Sequence, residues 1–136
     1  MATLNNVVLE RIYSDHPPEE MAELAIDIAT VMHSSYLNFK SRKFYFQHIA
    51  NRLDGKYSNT DILNGLIYLS KKDIGYINLI YEFLDDNLGP LPLESSDVNE
   101  AIEQNHFIHP IKGIEVQNFK SHIFLVYEIK DELSRN

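Results

Sequence analysis

The stretch Asn87 to Lys130, NLGPLPLESSDVNEAIEQNHFIHPIKGIEVQNFKSHIFLVYEIK, decides how this chain is read. Pro90 and Pro92 each push the preceding residue away from the helical region, so Asn87 to Leu93 reads as an extended connector. Leu91 and Leu93 alternate within it and can lay one short strand on the C-terminal β sequence. Asp97-x-x-Glu100 is a capping box, which opens a short helix turning Val98, Ala101 and Ile102 inward. Asn105 then serves as its left-handed terminator. Beyond it, Phe107 to Val116, interrupted at Pro110 and Gly113, is expected to pair as a hairpin with Ile123 to Ile129. The turn is Gln117 to Ser121. Ile123, Leu125, Tyr127 and Ile129 alternate with Phe124, Val126, Glu128 and Lys130, as a strand half-buried on one face does.

Working back toward the N-terminus, the sequence is helical in pattern. Leu4, Val7, Val8, Leu9, Ile12 and Tyr13 suit either a short helix or a packing arm. Pro17-Pro18-Glu19-Glu20 starts a helix, with proline in the first turn and acids at the positive dipole end. Met21, Leu24, Ala25, Ile28, Val31, Met32, Tyr36 and Phe39 carry it to about Asn38 at three- and four-residue spacing. Ile26 and Leu37 lie off that stripe, for packing under the N-terminal arm or for a homodimer contact. A second helix is expected over 41–53, with Phe46, Ile49, Ala50 and Leu53 inward and Phe44 outward. A third runs over 58–70. A fourth is expected over 74–86, apolar around more than half its circumference, which makes Ile80→Asp an unfolding change.

The fold class is therefore α+β and mostly helical: about five helices followed by a C-terminal hairpin, in a single domain over 1–136. Residues 58–130 resemble a winged-helix domain in this order of two helices, a connector, a short third helix and a hairpin. The resemblance implies that Asp97 to Gln104 is the recognition helix and Gln117 to Ser121 the wing. Members of that family bind DNA, or bind only proteins. Here the helix that would read DNA is acidic, against a duplex carrying one negative charge per ~1.7 Å.

Composition narrows the function classes. The 136 residues carry a net charge of −8, with 44% apolar and 24% charged side chains and no cysteine. Disulfides, thiolate metal sites and a cysteine nucleophile are excluded. The N-terminus shows no signal-peptide pattern and no apolar run approaches a membrane span, so a cytoplasmic protein without membrane contact is expected. From Glu82 to Glu103 there are seven acids and no base, whereas Lys40 to Lys56 holds five bases against Asp54 alone.

These two segments carry the functional expectations. A basic protein partner would dock on Glu94, Asp97, Glu100 and Glu103 with Phe119 of the turn, as on an adaptor, a subunit or an immunity-type inhibitor. The alternative is a nucleic-acid-binding regulator using Lys40, Arg42, Lys43, Phe44 and Arg52, where bases and aromatics interleave. His106-x-x-His109, with His122 across the turn, has histidines but no supporting carboxylate pattern for zinc. Asp15-His16 with Glu19 and Glu20 is explained by a helix cap. No nucleophile elbow, phosphate loop or dinucleotide fingerprint is present. No catalytic residue, metal ligand or cofactor is assigned.

Overall fold

The computed structural model describes residues 6–130. Leu4, the first apolar position of the N-terminal stretch, lies outside them. Among the described residues, five α-helices and four strands make an α+β fold in which helix predominates. The chain divides into two compact units, 80–126 and the remainder.

In the first unit, α1 (Asn6–Asp15) resolves the choice between helix and arm. It is followed by α2 (Glu19–Phe39), which begins directly after the two prolines, with Glu19 and Glu20 in its first turn. Leu24, Ala25, Ile28, Ala29 and Met32 form its buried stripe, as their spacing predicts. Helix α4 (Asn59–Ser70) starts at Ser58, whose hydroxyl accepts the Asp61 N–H at 3.1 Å. α2 and α4 cross at Gly65, where a Cβ would lie 2.6 Å from Ile28 Cδ1 and 2.9 Å from Leu24 Cγ. Gly65→Ala should therefore destabilise by roughly 1 kcal/mol, because the clash outweighs the better helix propensity. Equilibrium urea unfolding measures this directly.

The expected 41–53 helix is split. Lys43–Tyr45 forms strand β1, and only Phe46–Arg52 is helical, as α3. The cause is Phe44, which is buried while Lys43 and Tyr45 face outward, the two-residue alternation of a strand. The backbone is tied down alongside: the Ile129 N–H donates to Arg42 O at 2.8 Å. Phe39, expected on the core face of its helix, is 70% exposed where α2 ends at the left-handed Lys40. Leu37 is exposed, and Ile26 is half-buried.

The largest departure is at 74–86, where strand β2 (Ile77–Asp85) replaces the expected helix. Ile, Leu, Tyr and Phe crowd this segment on both sides, so neither a two- nor a 3.6-residue period stands out, and β-branched and aromatic residues favour the extended state. Ile74, Tyr76 and Ile77 are buried, whereas Ile80 is only half-buried, so Ile80→Asp loses the severity expected of a central helix. Tyr76 reaches the Ala29 carbonyl at 3.3 Å.

The strands run in the order β1-β4-β2-β3, where β3 is Gly89–Leu93 and β4 is Ile123–Ile129. Leu91 and Leu93 do lie in a strand, but it pairs antiparallel with β2, opposing Phe83 to Leu91 and Tyr81 to Leu93. Its prolines sit on an outer strand of the sheet, where a missing ladder donor is tolerated. The expected hairpin is replaced. Phe107 to Val116 folds back on itself through one bridge between Ile108 and Glu115, and β4 enters the sheet between β1 and β2. Pro110 and Gly113 break the first arm too early for it to compete for that place. No helix among the described residues is long and apolar enough to cross a membrane.

Candidate functional site

The second unit is built around Phe83 of β2. Its ring stacks on Phe107 at 5.3 Å and meets the edge of His109 at 5.2 Å; Phe107 in turn stacks on Phe119 at 5.6 Å. Ala101 completes this small core from helix α5 (Ser95–Gln104).

Against that core lies a buried pair that holds two turns at once. Asp85 Oδ1 accepts the Asn87 and Leu88 N–H groups, both at 2.8 Å, closing the turn between β2 and β3. Its Oδ2 lies 2.6 Å from His109 Nε2. His109 Nδ1 accepts two further backbone donors, Ile111 N at 3.1 Å and Lys112 N at 3.0 Å. An acceptor at Nδ1 places the imidazole proton on Nε2, so His109 donates to Asp85. That hydrogen bond comes first among the causes that hold the Asp85 carboxyl well below the usual carboxylate range; the Leu88 and Asn87 N–H groups add to it, and the Lys112 charge contributes last. Both imidazole nitrogens are engaged within the fold, so this Asp–His pair has no nitrogen left to take a substrate proton. Its work is positioning.

What it positions is the loop 107–116. The His109 N–H donates to Ile114 O at 2.8 Å, and Gly113 N to His109 O at 3.0 Å. Val116 N donates to Phe107 O at 2.9 Å. Gly113 takes φ +69°, a left-handed conformation that glycine adopts without Cβ strain. With its polar backbone turned inward, the loop turns three isoleucines outward: Ile108, Ile111 and Ile114 are 46%, 67% and 59% exposed. The hydrogen bonds thus fix an irregular segment that displays apolar side chains to solvent.

Helix α5 leads into this loop. Glu94, its cap residue, and Asp97, Glu100 and Glu103 on its body are all exposed. The helix begins three residues earlier than the capping box suggests, and Asn105 does end it in the left-handed region. Val98 and Ala101 are buried, but Ile102 is half-exposed at 50% because the contact with the core is made through Ala101.

Phe119 is not on this surface. At 4% exposure it is a core residue stacked on Phe107, since the turn before β4 tucks its one aromatic inward. Glu82 and Asp85 are likewise buried, so the acidic face reduces to Asp86 and the α5 acids.

The basic segment is dispersed. Lys40 sits over the Tyr36 ring at 5.4 Å, and Arg42 donates through Nη2 to Ile129 O at 3.0 Å. Lys43 is exposed on β1, and Arg52 donates to Ser35 Oγ at 3.1 Å. Lys56 pairs with Asp27 at 2.8 Å and Glu23 at 3.2 Å. Phe44 is 5% exposed, buried by the β1 alternation, and so offers no face for base stacking.

The histidines also separate. His106 lies 3.6 Å from Glu115 on the surface, His109 is bound to Asp85, and His122 tilts over Phe83 at 5.7 Å. No group of three or more His, Asp or Glu side chains among the described residues is placed to hold a metal ion. At the other end of the chain, Asp15 accepts the Tyr68 hydroxyl at 2.7 Å, and His16 takes φ +50°.

The residues of this candidate site that sequence reasoning missed are Asp85, His109 and the three isoleucines. Asp85-Asp86-Asn87-Leu88-Gly89 and Pro110-Ile111-Lys112-Gly113 are both turn signatures, and each was available as a signal for a tight loop. The hydrogen bond joining them was not. Comparison of the chain with protein-family models, curated proteins and solved structures finds no match.

Proposed function

We propose that this protein is a non-catalytic interaction module, an adaptor, subunit or immunity-type inhibitor, that docks a basic protein partner. The docking surface is the 107–116 loop together with the acidic side chains of α5. The observation that carries the reading is the exposure of Ile108, Ile111 and Ile114 on a loop whose backbone is fixed by Asp85 and His109.

Physical chemistry favours that arrangement for binding. A loop already held in one conformation loses little entropy on association. Exposed isoleucines supply apolar anchors that release water, and exposed carboxylates on the preceding helix steer and select a basic partner. Glu94, Asp97, Glu100 and Glu103 provide that set with no cation among them on α5.

Two variants test the two contributions separately. Ile111→Asp should reduce partner affinity by 100-fold or more while leaving the melting temperature within about 2 °C, since that side chain is two-thirds exposed. Glu100→Lys combined with Glu103→Lys should slow association and remove its salt dependence, with stability again unchanged. Surface plasmon resonance against the captured partner reads both. Wild-type kinetics in both variants would sink the proposal.

A further inference from the structure

A groove of about 380 Å³ opens on the first unit, between the end of α2, strand β1 and helix α3. Its apolar walls include Phe39, Phe44 and Ile49, and its polar groups include Ser35, Lys43 and Arg52. The volume lies at the lower end of the ~300–1,000 Å³ range of small-molecule sites, and apolar walls with a few placed donors are what such sites present.

The charge of the lining sets this groove apart. The chain has 20 acids against 12 bases, yet no Asp or Glu lines the groove. Three other clefts on the described surface each carry at least one carboxylate. Arg52 is also held in place there: Nη1 donates to the hydroxyl of Ser35, itself 7% exposed, at 3.1 Å. That contact uses one of the five guanidinium N–H donors and leaves four for a ligand. Phe39, 70% exposed, provides a flat apolar face on the same lining.

We propose that this groove binds a small carboxylate with an aromatic or otherwise apolar body. The carboxylate is received by Arg52, and the body lies against Phe39. One anchored guanidinium suits a monoanion in bidentate geometry. Lys43 adds a second cation to the same lining and reinforces its preference for an anion. This site is independent of the docking surface on the second unit.

The test is a titration of the full chain with 4-phenylbutyrate, followed by calorimetry and by backbone amide NMR shifts, with 4-phenylbutanol as the neutral counterpart. The expected result is saturable one-site binding of the acid, with shifts confined to the residues around Val31, Phe39 and Ile49. Arg52→Gln should weaken it at least tenfold and Arg52→Lys less. Phe39→Ala, an exposed change that leaves the fold intact, should also weaken it at least threefold. Equal binding of the alcohol, or no saturable binding at millimolar acid, would overturn the proposal. So would tighter binding of oligothymidylate with affinity rising with its length, which would make the groove a single-strand nucleic-acid site.

Discussion

Replacing His109 by alanine should lower the melting temperature by about 10 °C and expose the amides of Ile111 and Lys112 to rapid hydrogen exchange. The effect is large because one ring serves three polar groups. It donates to Asp85 and accepts the two loop N–H groups, and its removal leaves the Asp85 carboxylate short of a partner in a buried setting and the two amides unpaired in a part-buried one. The Asn87 and Leu88 amides should lose protection as well, since their acceptor is the carboxylate that His109 holds. Exchange measured residue by residue separates this outcome from uniform destabilisation.

The same pair sets a pH dependence. Asp85 titrates lower when folded than its unfolded value near 3.9, so its stabilisation is complete above that value. It is lost only as pH falls below about 4 toward the depressed folded value. The stability difference between wild type and Asp85→Asn should therefore be constant from pH 5 to 7 and narrow below pH 4. A difference that instead grew on acidification would show that the carboxylate is not the stabilised form.

The second large effect is expected at Phe83→Ala, at about 3–5 kcal/mol. Phe83 is 3% exposed, and its ring touches Phe107, His109 and His122. Among the described residues its core has three other buried members, Ala101, Phe107 and Phe119, with Leu91, Leu93, Val116 and Ile123 packed against them, so its loss removes the ring around which the cluster is assembled. Chemical denaturation followed by tyrosine fluorescence and by NMR of the 107–116 loop gives the number. A loss below 1 kcal/mol would mean that the aromatic cluster does not organise this unit.

How much of this was legible in the sequence depended on the range of the determining interactions. Helices α2, α4 and α5 were readable because prolines, Ser58 and Asn105 act within one turn, and because their apolar positions repeat at helical spacing over several turns. Strand β2 was not, because a segment apolar on every side carries no period by which to tell strand from helix. β1 was hidden for a related reason: Phe44 reads as the outer face of a helix until Arg42 is seen bonded to Ile129. At the site, the α5 acids were identified correctly as exposed, since few arrangements bury so many unpaired carboxylates on one short helix. Phe119 was misplaced because a turn aromatic can face either way. The Asp85–His109 bond joins residues 24 apart through a turn and a helix, beyond the reach of local pattern.

The docking surface is tested most directly by affinity capture from a native lysate at low salt, run in parallel with wild type, Ile111→Asp, and Glu100→Lys with Glu103→Lys. The expected result is a discrete basic protein retained by wild type and lost from both variants, all three baits having the same melting temperature. The same retained proteins on all three baits, or nucleic acid as the only specific component, would contradict a docking role for the loop and helix.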